Sequence, residues 1–162
     1  ECPPMSPQEN RVAAELALWG ALLLFIWMRL TDGTVILGQS LGTVIVEQSP
    51  GRLLWTYVAA GVIAAIGQLI IRAVVFRKEK DAPADERERF IERKADQVAY
   101  GAGVVTVHLV IGHVLLVAFF DRSDVVALDF TSTAGILLVL LTVLLVQEIV
   151  RGVATLVLYR RT

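Results

Sequence analysis

The 162-residue chain is 56% hydrophobic and 19% charged, with a formal net charge of −1 and a mean hydropathy of +0.65. Soluble domains run at about 45–50% apolar and about 25% charged. The excess excludes a disordered chain, a nucleic-acid binder with a broad basic surface, and a disulfide-stapled secreted domain, which the single Cys2 cannot build.

Residues 1–11 form a polar N-terminal tail. Met5-Ser6-Pro7-Gln8-Glu9-Asn10 has the look of a natural start, so Glu1 to Pro4 read as residues foreign to the protein and are set aside from the fold. Four stretches nearly free of charge follow, Val12 to Leu30, Leu53 to Phe76, Gln97 to Phe120 and Ala134 to Tyr159, and together they hold more than half the chain. A bilayer core of roughly 30 Å takes about 20 helical residues to cross, so each stretch predicts a spanning helix. In lipid the backbone must satisfy itself, which leaves helices or closed barrels, and the alternating ten-residue strands of a barrel are absent. The expected fold is all-α: a polytopic membrane protein with four spans.

The first apolar stretch carries Glu15 and ends in Arg29, not in a small-residue cleavage site, so it is expected to be retained as a span. The loop after it, residues 31–52, fits a short hairpin around Gly38-Gln39-Ser40 and fits an interfacial amphipathic helix equally well. Gly38-Gln39-Ser40-Leu41-Gly42 matches the Gly-x-Ser-x-Gly pattern of serine hydrolases, but a loop between two spans is not the strand-to-helix elbow that chemistry requires.

Residues 77–96 carry seven basic and seven acidic side chains. Asp81 and Pro83 suit a helix start, and Ile91, Ala95 and Val98 share one stripe, so a charged helix from about Ala84 is expected to run into the third span. Arg11, this basic segment, Arg160 and Arg161 stand on one side of the spans, whereas the opposite loops hold only Arg52 and Arg122. The positive-inside rule then puts both termini and the 77–96 connector in the cytoplasm, the protein lying in a bacterial inner membrane.

The chain repeats itself. Glu15-x-x-x-Trp19-Gly20 at the start of the first span recurs as Asp96-x-x-x-Tyr100-Gly101 at the third, and Gln68-x-x-x-Arg72 in the second recurs as Gln147-x-x-x-Arg151 in the fourth. Two tandem hairpins, residues 12–76 and 97–162, related by a pseudo-twofold axis along the membrane normal, are the expected architecture. A charge inside a span costs about 2.5–3.5 kcal/mol on insertion scales. Glu15 is therefore expected to pair with Arg72, and Asp96 with Arg151, or crosswise, with Gln68, Gln147 and Glu148 completing an intramembrane charge layer.

His108 and His113 stand deep in the third span and invite a haem, redox or relay reading. Five residues of helix turn the second ring about 140° from the first, so the two do not share one ligand. No zinc spacing is present, and neither metal nor cofactor is expected. Gly20, Gly61, Ala65, Gly101 and Gly103 are the expected close-packing positions between helices.

Asp85 to Tyr100, with its acidic-Glu-Arg, Ile, Lys-Ala and Ala-Tyr elements, resembles a stretch of uncharacterised bacterial inner-membrane proteins with four spans. That resemblance covers about a tenth of the chain and implies an integral membrane protein without assigned catalytic residues. The expected function is non-enzymatic, a small membrane module (sensor, accessory or immunity-type) acting through the bilayer and through a second copy or a membrane or cytoplasmic protein, not through nucleic acid. A small proton or ion transporter using the charge layer is the alternative, and a haem protein using the two histidines is the third.

Overall fold

The structure, a computed structural model, describes residues 7–31, 48–75, 86–120 and 132–161. The 31–52 loop, with its Gly-x-Ser-x-Gly pattern, lies outside them except at its ends, as does the 77–96 connector before Glu86. The chain is all-α: α1 (Pro7–Leu30), α2 (Pro50–Val75), α3 (Glu86–Phe120) and α4 (Thr133–Arg161). Each is long and apolar enough to cross a membrane.

Local chemistry explains where the helices begin. Pro50 stands at the first position of α2, where its missing N–H costs nothing, and the Ser49 carbonyl accepts from the Arg52 and Leu53 amides at 2.9 and 3.2 Å. Ser132 caps α4, its Oγ accepting from the Gly135 amide at 3.0 Å. Glu86 and Glu88 sit in the first turn of α3, where the helix dipole favours acids. Within the apolar stretches, Thr56 and Thr106 turn their hydroxyls onto carbonyls one turn back, of Arg52 at 2.9 Å and of Ala102 at 2.8 Å, so neither needs a partner from another helix.

Helix α1 packs against α2 and α4, and α4 against α1 and α3, giving the order α2, α1, α4, α3 across the bundle. No packing of like extent joins α2 to α3 among the described residues. Sequential neighbours are antiparallel. Trp27, late in α1, donates its Nε1–H to Thr142 Oγ1, early in α4, at 3.0 Å, and Gln8 at the start of α1 meets Tyr159 at the end of α4.

The buried core sits toward the far end of α1: Leu22, Ile26 and Leu30 pack with Leu53 and Ala60 of α2 and with Ala134, Leu138 and Leu145 of α4. Outside it the surface is apolar. Trp55 is 72% exposed, Leu69 65% and Leu109 69%. At roughly 25 cal/mol per Å² such surface is untenable in water and ordinary in lipid. At roughly 1.5 Å per residue the 35 residues of α3 extend about 50 Å, so its start projects well beyond a hydrocarbon core of about 30 Å.

Candidate functional site: the charged end of the bundle

Three close approaches fix the depth of the charged side chains. A Cβ on Gly67 of α2 would stand 2.6 Å from Leu18 Cδ1 of α1, and one on Gly152 of α4 would stand 3.2 Å from Leu16 Cδ1. A Cβ on Gly103 of α3 would collide with the amide of Gln147 on α4. With antiparallel neighbours in this register, Glu15, Arg72, Asp96 and Arg151 fall within about one helical turn of a common level. The register is set at three glycines, each approached by a side chain of the adjacent helix.

The pairing within the layer is unequal. The Arg151 Nε–H donates to Asp96 Oδ1 at 2.8 Å between α4 and α3, both side chains being about half exposed. Glu15, in contrast, accepts from the Nε–H of Arg11, one turn earlier on its own helix, at 3.0 Å. Arg72 is exposed on α2 and makes no ion pair among the described residues, so the expected Glu15–Arg72 pair is not formed. The reason lies in helix azimuth. The inward stripe of α2 runs through Leu53, Thr56, Ala60, Ala64 and Gly67, and Arg72 stands about 120° around the helix from Ala60. Gln68 and Glu148 are half-buried within the layer's span of depth.

Below the layer the starts of α1 and α3 and the end of α4 are tied by one side chain. Gln8 donates its Nε2 to Glu88 Oε1 and accepts from the Tyr159 hydroxyl at its Oε1. A carboxylate that only accepts and a phenol that donates fix which end of the amide faces which. Glu92 lies close enough to act electrostatically on the same Tyr159 hydroxyl. Ile91, Ala95 and Ala99 are buried on the inner side of α3, so the first turns of that helix are braced along their length.

The expected packing glycines divide. Gly103 lies at a notch, but a Cβ on Gly20, Gly61 or Gly101 would meet open space, and Ala65 is exposed. Gly61, Ala65 and Gly101 are corrected to exposed positions, Gly20 is half-buried beside open space, and Gly67 and Gly152 meet side chains of α1 within the bundle. Neither of those stands in a small-xxx-small pair that the sequence singles out, so only the neighbouring leucine reveals them. His108 is exposed on α3 with its Nδ1 2.8 Å from the Val104 carbonyl. His113 is half-buried with its Nε2 shielded from solvent. Among the described residues no three His, Cys, Asp or Glu side chains gather as a metal site. Gln8 and Tyr159 carried no signal in sequence, being an amide in a polar tail and an aromatic at a span's end. The Arg11–Glu15 pair was legible as an i, i+4 spacing.

Comparison with protein-family models, with curated proteins and with solved structures finds no match to the chain.

Proposed function

We propose that this chain is a bacterial inner-membrane protein of four spans, duplicated as two hairpins, with both termini and the start of α3 in the cytoplasm. It works without a catalytic centre, through contacts made at its charged inner end. The charge asymmetry of the loops supports that orientation, and the resemblance of Asp85 to Tyr100 to uncharacterised four-span inner-membrane proteins supports the membrane. The pseudo-twofold relation has its support in the repeat and in the common depth of the layer, while the two halves differ in how that layer is paired. One observation carries the reading of function: Gln8, Glu88 and Tyr159 tie the charged start of α3 to the start of α1 and the end of α4. A helix that merely ended in water would need no such brace.

The test is a cysteine and a photo-crosslinking residue placed in turn at Arg93 in intact cells. Labelling of the cysteine only after the inner face is opened, and a discrete adduct from the crosslinker that a probe at lipid-facing Leu115 does not give, are the expected results. Labelling from outside overturns the orientation, and no adduct at all overturns the contact role.

Ion or proton transport is the second reading, favoured by a layer that holds Glu15, Arg72, Asp96 and Arg151 at one depth. Proton flux in liposomes that Asp96→Asn abolishes is its expected signature, and flux indifferent to that change removes it.

A further inference from the structure

Over residues 86–96 four acids and four bases balance in number, yet the helix distributes them unevenly around its axis. Glu88 is turned to Gln8 and Asp96 is held by Arg151, on or next to the side of α3 that meets α1 and α4, while Glu92 and Arg87 both act electrostatically on the Tyr159 hydroxyl from that side. At 100° per residue, Arg93 and Lys94 lie away from that side and Arg89 at its edge, about 20° around from Asp96, the three spread over about 140° of helix together with Phe90 and Tyr100. All five are exposed, and the three cations make no salt bridge among the described residues. Lys94 Nζ stands 5.9 Å from the centre of the Phe90 ring, which is 52% exposed, and Tyr100 is 71% exposed. Among the described residues the carboxylate on this side is Glu86, in the first turn of α3 and farthest from the bilayer.

The depth of this face identifies what it meets. From the Asp96 level, Arg93 and Lys94 stand about 3–5 Å and Arg89 about 10 Å further out along the helix. The headgroup band on each side of a bilayer is about 5–8 Å deep, and an arginine side chain spans the remaining distance. Tyr100 on the bilayer side of the cations and Phe90 among them match the chemistry of the inner interface, where rings sit at headgroup level and cations meet phosphate.

We propose that this side of α3, through Arg89, Arg93 and Lys94 with Phe90 and Tyr100 as anchors, binds the phosphate headgroups of anionic phospholipids in the inner leaflet. The inference deepens the proposed function, and rests on its placement of the start of α3 at the inner face.

The experiment reconstitutes the full chain in phosphatidylcholine vesicles containing spin-labelled phosphatidylglycerol or spin-labelled phosphatidylcholine, and compares the fraction of each immobilised at the protein surface. The expected preference for phosphatidylglycerol is roughly fivefold or more, since each cation near an anionic surface contributes about that factor. The variant Arg89→Gln/Arg93→Gln/Lys94→Gln should bring it close to one with an unchanged melting temperature, because none of the three is buried. On the intact protein, raising the salt should erode the preference as screening shortens the reach of the cations.

A preference that survives the triple substitution overturns the proposal, as does one that dissolved inorganic phosphate abolishes, which would make free phosphate the ligand. If the triple variant keeps its lipid preference while Arg89→Gln/Lys94→Gln loses the adduct from the crosslinker at position 93, a protein occupies the face; the lipid inference then fails and the contact function stands. If cysteine labelling puts Arg93 outside, the function itself fails.

Discussion

Arg151 reaches Asp96 at 2.8 Å between α4 and α3, while Arg72 is turned away from Glu15 to the exposed side of α2. Two arginines that each follow a glutamine by four residues thus serve different ends. Arg151 links two helices, and Arg72 faces outward.

Arg151→Leu is expected to leave the Asp96 carboxylate without its partner, and Arg72→Leu to remove a charge that makes no ion pair among the described residues. Thermal unfolding in detergent should therefore fall for Arg151→Leu and hold or rise for Arg72→Leu. Because both members of the pair are half exposed, a double-mutant cycle between Asp96 and Arg151 should give a coupling of about 1 kcal/mol or less. An equal loss from the two leucine variants would sink the distinction drawn between the halves.

Glycine substitutions separate notches from open faces. Gly103→Leu drives a side chain into the Gln147 amide and Gly67→Leu into Leu18, and overpacking of this kind costs about 1–3 kcal/mol. Gly20→Ala and Gly101→Ala meet open space, and in lipid the better helix propensity of alanine should make them neutral or slightly stabilising. The midpoint of thermal unfolding, read by circular dichroism, ranks the four.

Removing the brace should loosen the start of α3 before anything else. Gln8→Ala deletes both bonds and Tyr159→Phe only one, each bond being worth about 0.5–1.5 kcal/mol. Hydrogen exchange in nanodiscs is the readout. Amides of residues 86–95 should exchange faster in both variants, more so in Gln8→Ala, with those of residues 22–30 unchanged. Faster exchange spread evenly over all four helices would falsify a local brace.

At the other end of the bundle, Trp27→Phe leaves the Thr142 hydroxyl without its donor in an apolar setting. A loss of about 1 kcal/mol is expected, with residues 86–95 exchanging as before. Combined with Gln8→Ala, the two losses should add, since the sites lie at opposite ends of α1 and share no partner.

How much of this was legible beforehand follows from the solvent. The spans Val12 to Leu30 and Leu53 to Phe76 were readable because a bilayer demands a certain length of apolar helix; α1 contains the first and α2 covers the second as far as Val75, with Phe76 outside the described residues. The helix predicted from about Ala84 begins at Glu86 among the described residues. The common depth of Glu15, Arg72, Asp96 and Arg151 was readable too, since the rise per residue converts sequence position into depth. Arg72 was misplaced about its helix axis, not along it, and Gly61 and Gly67 exchanged roles for the same reason.

Sequence alone therefore determined that four helices of membrane length exist and at what level each charge stands, because length and hydropathy are properties of a helix by itself. Tertiary structure alone decided which side of each helix meets a neighbour: the α2–α1–α4–α3 order, the bond from Asp96 to Arg151, the brace at Gln8, and the cationic side of a segment whose charges sum to zero. In water an apolar stripe would have announced the buried side. In lipid the buried and the outward sides of α2 are equally apolar, so rotation about the axis is set by how Leu18 fits Gly67 and Gln147 fits Gly103, and no periodicity in the chain records it.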